Sequence, residues 1–252
     1  MHMKKISDRD EYVVYERMIG DWTYRFKSRF FCDESDTPSE VHQSTQIVPP
    51  SSMNLKPIDL PLRKDLGEAG CVFQSAVVLC NLLTDRNFVL HQYMNSQKKV
   101  VEVGSGTGVL GLAAAAVGAT VCMTDLPHVL DQLRGNLQLY CSSNPLGEDL
   151  QSRCSVEQLT WGSESEAAHV GKADLILCSD CLYKEEVHRA LLETLQALSH
   201  HDTLIVLSFE IRRAPIEANF IQQAGERFEV ERFFQSMRDD HDVQLYYLRP
   251  RR

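Results

Sequence analysis

Residues 99–115, Lys-Val-Val-Glu-Val-Gly-Ser-Gly-Thr-Gly-Val-Leu-Gly-Leu-Ala-Ala-Ala, decide the fold. A short β-branched run, 99–104, ends in glycine, and an alanine-rich apolar run, 109–117, follows it. Strand, glycine turn and helix in that order open a βαβ crossover. Glycine suits the turn because the backbone must reverse tightly and approach a neighbour with no Cβ in the way.

The alternation continues on both sides. Upstream, 76–83 is apolar enough for a buried helix. Downstream, strands are expected at 119–125, 155–159, 174–178, 203–208, 228–233 and 243–248. Between them Val129, Leu133 and Leu137, then Val187, Leu191, Leu195 and Leu198, then Ile216, Phe220 and Ala224 recur at helical spacing. A polar turn, 237–242, joins the last two strands and predicts an antiparallel pair. The expectation is a doubly wound, Rossmann-like α/β sheet of seven strands, mostly parallel, with an antiparallel last strand.

Residues 1–69 break this rhythm. Tyr24, Phe26 and Phe30 share one parity, while Arg25, Lys27 and Arg29 share the other and read as a solvated face. Val41, Thr45 and Ile47 suggest a partner strand across a polar turn at 33–40. The stretch 48–65 holds four prolines and reads as a loop. The chain therefore divides into an N-terminal β-hairpin extension with a proline-rich linker, 1–69, and an α/β domain, 70–252.

Composition narrows the function classes. The chain has 252 residues, 43% hydrophobic and 24% charged, the balance of a globular protein. Asp and Glu total 35 against 26 Lys and Arg, a net charge of -9. Such a surface repels phosphate backbones, so no nucleic-acid partner is expected. The longest uninterrupted apolar-or-glycine run, 109–119, is far short of a bilayer span, so no membrane role is expected either. Most of the eight cysteines lie in apolar runs, as in a reducing compartment. The expected location is cytoplasmic, with the nucleus second, and the expected state is a monomer. Cys178 and Cys181 form a C-x-x-C with no second pair at zinc-ligand spacing, and no metal is expected. His200 and His201 read as a solvated loop.

The turn also selects a ligand. A dinucleotide site needs G-x-G-x-x-G. Here Gly104, Gly106 and Gly108 give G-x-G-x-G, and Val109 stands at the third glycine's place. Glu102, two residues before Gly104, would repel a pyrophosphate and suits a cation. Asp125 ends the next strand, 21 residues after Gly104, where a carboxylate can accept both hydroxyls of a ribose. S-adenosylmethionine has a ribose, an ammonium and a sulfonium, and no phosphate. A nicotinamide-dependent dehydrogenase fits the spacing less well.

With those residues in place the chain resembles the seven-β-strand methyltransferases, and among them the family-sixteen non-histone protein-lysine methyltransferases, over about 70–248. GCVFQSAVVLCNLL resembles the family's segment before the glycine loop, with Phe73 where a tryptophan is usual. VVEVGSGTGVLGLAAA and VCMTDLPHVLDQLRGNL match the loop and the acidic strand tip. Asp180-Cys-Leu-Tyr183 carries the family's Asp-x-x-Tyr signature after the fourth strand. Glu210-Ile-Arg212 resembles a Glu-x-Arg segment after the fifth.

The resemblance implies transfer of a methyl group from S-adenosylmethionine, leaving S-adenosylhomocysteine, to a lysine of a protein such as a chaperone or translation factor. It implies cofactor contacts at Phe73, Glu102, Gly104, Ser105, Gly106, Thr107, Asp125, Leu126, Trp161 and Ser179, with Trp161 beside the adenine. It implies catalytic roles for Asp180 and Tyr183. Transfer to arginine, a protein N-terminus or a small molecule, and a non-catalytic cofactor-binding module, are the alternative readings.

Overall fold

The computed structural model describes residues 4–9, 12–19, 22–28, 43–48, 58–84, 88–238 and 241–251. Five strands, β1 (Lys4–Arg9), β2 (Tyr12–Ile19), β3 (Trp22–Ser28), β4 (Gln43–Val48) and β5 (Ile58–Leu62), form one antiparallel sheet in sequential order. The expected hairpin is its β3–β4 pair, with Phe26 opposite Thr45 and Tyr24 opposite Ile47. Phe30, Val41, the 33–40 turn and the face of Arg25, Lys27 and Arg29 lie outside the described residues.

The extension is thus a five-stranded sheet rather than a hairpin, and part of the expected proline loop is a strand. β5 is an end strand, where Pro61 lacks no needed ladder hydrogen bond. Ile58 and Leu60, two apart, point the same way and are fully buried in the core that also holds Leu110 and Leu133. Burial, which a local reading cannot see, overrides the proline signal.

A 3₁₀ segment, Lys64–Gly70, leads into α1 (Gln74–Thr84). The apolar stretch Asp65–Leu83 is thus two elements broken at 71–73, and α1, with 11 residues, is too short to cross a bilayer. The seven-stranded sheet comprises β6 (Lys99–Val103), β7 (Thr120–Asp125), β8 (Cys154–Gln158), β9 (Ala173–Ser179), β10 (Ser199–Glu210), β11 (Phe228–Arg238) and β12 (His241–Pro250). Its order is β11-β12-β10-β9-β6-β7-β8. β8, β7, β6, β9 and β10 pair in parallel, and β12 runs antiparallel between β10 and β11.

Alternation along these strands builds two cores. Val100, Leu175, Leu177, Leu204 and Val206 face α1, α2 (Val109–Ala116) and α3 (Leu130–Ser143). Val101, Val103, Ile176, Ile205 and Leu207 face α5 (Glu164–Val170), α6 (His188–Leu198) and α7 (Ala214–Arg227). α5 and α4 (Gly147–Arg153) have 7 residues each, too short to show a helical period in the sequence. β10 begins earlier than expected, so His200 and His201 lie in a strand rather than a loop, beside a register break between Ser199 and Leu204.

The reversal of strand order falls between β6 and β9. Ligands of such sheets bind beyond the carboxyl ends of the strands at this point.

Candidate active site

A cavity of about 240 Å³ opens there. It is lined by every residue expected to contact the cofactor or to act in catalysis: Phe73, Glu102, Gly104, Ser105, Gly106, Thr107, Asp125, Leu126, Trp161, Ser179, Asp180 and Tyr183.

One half of the wall is backbone. Gly104 has φ 68, and a Cβ on it would sit 3.0 Å from Cys181 Sγ and 3.1 Å from Trp161 Cζ2. Glycine is therefore what lets Trp161 lie against the loop. Three loop amides already have acceptors. Ser105 N–H donates to Thr124 O (2.9 Å), Gly108 N–H to Ser105 O (2.7 Å) and Gly106 N–H to Asp125 Oδ2 (2.7 Å). Gly111 N–H donates to Glu102 Oε2 at 3.1 Å, an approach that a side chain at Gly111 would block. A phosphate-binding loop must leave such amides free. Here Gly106 N–H in the loop and Gly111 N–H in the first turn of α2 face carboxyl groups, so the site disfavours a pyrophosphate and suits a cationic ligand.

The carboxylates are perturbed. Burial pushes Glu102 up to about 8, against the pull of Ser105 and Gly111. Burial also raises Asp125, which accepts from Leu126 N–H (2.7 Å) as well as from Gly106. Each Asp125 oxygen keeps a lone-pair site for a hydroxyl donor. Phe73, half-buried at the start of α1, and Trp161 supply aromatic surface.

The other half of the wall is held by side chains. Asp180 follows β9 with φ 55, the only positive φ outside glycine among the described residues. Its carboxylate accepts from Arg212 Nη1 (2.7 Å), Arg212 Nη2 (3.3 Å), Ser75 Oγ (2.6 Å) and, at the limit, Glu210 N–H (3.5 Å). Ser75 Oγ is also 3.0 Å from Ser179 Oγ. Arg212 Nη2 reaches Glu210 Oε2 at 2.9 Å, and its guanidinium stands 5.2 Å from the Phe73 ring centre. Tyr183 is raised by burial and by nearby anionic groups including Glu68, Asp125 and Glu186. Its phenol therefore keeps its proton at neutral pH.

Cys181 is held well above the ordinary thiol range by Cys178 and by burial, so it is a wall and not a nucleophile. Away from the cavity, His200, His201 and Asp202 bring potential ligand atoms within 4.8 Å of one another. His200 Nδ1 already accepts from Asp202 N–H (3.1 Å), and the neighbouring Asp174 accepts from Lys98 Nζ (2.8 Å). Ordinary pairing accounts for that cluster.

Sequence reasoning missed several groups. Glu68, Ala69, Cys71 and Val72 line the cavity from the stretch around the 3₁₀ segment, and Lys184 and Val187 from beyond Tyr183. Ser75 carried no signal of its own. The Glu-x-Arg segment was legible, but its contact with Asp180, 32 positions away, was not.

A family model for lysine methyltransferases matches residues 55–227. Protein N-lysine methyltransferase METTL21A of Danio rerio is 36% identical over 215 residues, covering 83% of this chain and 91% of its own. EEF1A lysine methyltransferase 3 of Mus musculus is 32% identical over 189 residues, covering 74% of each chain. Among solved structures, magnesium protoporphyrin IX methyltransferase from Synechocystis PCC 6803, with bound SAH, is similar with a TM-score of 0.52. That likeness, at 18% identity over 70% of this chain and 82% of the other, is one of fold.

Proposed function

The chain belongs to the lysine methyltransferase family and is an S-adenosylmethionine-dependent protein-lysine methyltransferase; we propose that the cavity at the sheet's switch point is where transfer occurs. One observation carries this reading: the glycine turn with Asp125 and Trp161, and the Asp180–Tyr183 turn, line the same cavity. Bound there, S-adenosylmethionine supplies a methyl group on a sulfonium. The loop between β6 and α2 would seat it, Asp125 would accept from its ribose hydroxyls, and Trp161 and Phe73 would offer it aromatic surface.

The acceptor must arrive as a neutral amine. Lysine's ordinary pKa of about 10.4 makes that cost roughly 4 to 5 kcal/mol at pH 7. A narrow apolar channel lowers the cost, because leaving water disfavours the ammonium. Tyr183 lines this end and offers its phenol to the amine. Asp180 has its oxygens committed to Arg212 and Ser75, so the proton leaves to water, and Asp180 shapes the end of the cavity.

Cys80, Cys122, Cys141, Cys154, Cys178 and Cys181 are free thiols, which supports a reducing compartment, the cytoplasm with the nucleus second. A monomer acting on another protein is the proposed state. EEF1A, named in the Mus musculus relative, is a candidate substrate. The test is labelled S-adenosylmethionine in a cell extract, with wild type and Asp180→Ala side by side and mass spectrometry of the modified residue. Methyl-lysine from wild type alone, with S-adenosylhomocysteine still bound by the variant, is expected. Label on arginine, on N-termini or on small molecules refutes the acceptor, and full turnover by Asp180→Ala refutes the residue.

A further inference from the structure

Two neighbouring arginines grip the two ends of the acceptor turn, and we propose that Arg212 and Arg213 are positioning residues for methyl transfer. They fix Asp180–Tyr183 in the orientation that faces the cavity. This rests on the function proposed above.

A non-glycine residue at φ 55 lies in a sparsely populated region and persists only where its surroundings over-determine it. At Asp180 the surroundings do so. Its N–H donates to Ser208 O at 2.8 Å, and its carboxylate is forked by Arg212 at 2.7 and 3.3 Å. Three residues on, the Tyr183 carbonyl accepts from Arg213 Nη2. Between them, the Leu182 carbonyl meets His188 Nε2 at 3.1 Å, so the middle of the turn is tied down as well.

The arginines are themselves anchored. Glu217, buried in the first turn of α7, accepts from Arg212 N–H (3.3 Å) and from Arg213 N–H with both oxygens (3.0 and 3.1 Å). The chain of support runs from Glu217 to the arginine backbones and from their guanidinium heads to the turn. Neither arginine lines the cavity, so each acts through Asp180 or Tyr183. Both side chains are exposed enough to extend into water, yet both heads fold back onto the turn. A lysine at 212 cannot replace the fork, because one ammonium does not present two parallel donors to a carboxylate.

The experiment measures initial rates of labelled methyl transfer to extract protein as a function of S-adenosylmethionine concentration. It uses the full-length protein and its Arg213→Ala, Arg212→Lys and Arg212→Ala variants. Misplacing a reacting group by about 1 Å costs up to roughly 100-fold in rate. Arg213→Ala and Arg212→Lys should therefore lose about 10- to 100-fold in Vmax while KM for the donor stays within about twofold. Added guanidinium at low millimolar concentration should restore part of the Arg212→Ala rate. If Arg212→Ala does not fold, Arg213→Ala decides, since it removes one donor to a carbonyl and leaves the buried carboxylate paired. An unchanged Vmax in Arg213→Ala overturns the proposal, as does a donor KM that worsens in step with Vmax. A wild type that places no label on lysine overturns the function instead.

Discussion

The two halves of the cavity are built from different materials. The donor half is backbone: glycines with positive φ, loop amides satisfied within the loop and by the tip of the neighbouring strand, and one carboxylate from that strand. The acceptor half is a side-chain lattice drawn from α1, the end of β9 and the segment between β10 and α7. A backbone half is specified by local sequence and tolerates distant change. A lattice half depends on every member at once, and removing one leaves a buried group without its partner.

The sharpest way to break the contrast is Arg212→Ala. Asp180's side chain is 4% exposed and Arg212's 40%, so the variant strands a buried carboxylate while losing a half-exposed cation. Breaking a fully buried pair costs about 3–5 kcal/mol, and Arg212's wet face puts this one nearer 2–4 kcal/mol. Urea unfolding should show that loss. The thermal shift produced by S-adenosylhomocysteine should survive, because the donor half does not use Arg212. Loss of that shift as well would mean that the halves are one unit.

Gly104→Ala is the converse. A methyl at φ 68 costs about 1–2 kcal/mol and presses on Trp161 and Cys181. Calorimetry should show S-adenosylhomocysteine binding weakened by roughly 10- to 100-fold, with the Arg212–Asp180 pair untouched.

Glu102 sharpens the donor side through pH. Its carboxyl titrates near 8 in the fold against an ordinary 4.5. An acid raised in this way holds its proton in the native state, so stability is full at low pH and is lost as pH rises from about 4.5 to about 8. The slope is at most about 1.4 kcal/mol per pH unit. Glu102→Gln should flatten the dependence of the urea midpoint across this window. A cationic donor favours the ionised carboxylate, so S-adenosylhomocysteine, through its ammonium, should bind wild type more tightly as pH rises towards 8 and bind Glu102→Gln without that trend. Parallel pH slopes in the two proteins would remove Glu102 from the donor site.

The same contrast explains what could be read from the sequence. Gly104, Gly106 and Glu102 stand within five positions, and Asp125 marks the tip of the next strand, so the donor half was legible from spacing. The parallel strands were legible too, because burial on both faces makes them continuous apolar runs such as 175–178. The acceptor half was visible only as the short Asp180–Tyr183 signature. Its ties to Ser75 and Arg212 span 105 and 32 positions, and nothing local encodes them. The N-terminal sheet was half-legible for a related reason: β5 follows Pro57 and carries Pro61, which say loop, and only the burial of Ile58 and Leu60 makes it a strand.

Phe73 is where the halves touch, and it gives the smallest test. Its ring lines the cavity on one side and meets the Arg212 guanidinium at 5.2 Å on the other. Tryptophan, usual at this place in the resembling family, offers a larger face to both. The gain in cation–π attraction at such a half-exposed site is about 0.5–1 kcal/mol. Phe73→Trp should tighten S-adenosylhomocysteine binding by roughly two- to fivefold and raise the urea midpoint slightly, because the same ring braces Arg212. In the Arg212→Lys background the stability gain should shrink while the affinity gain persists, since only the first depends on the guanidinium. An equal loss of both would place Phe73 wholly in the acceptor lattice, and the division between the halves would have to move to the far side of α1.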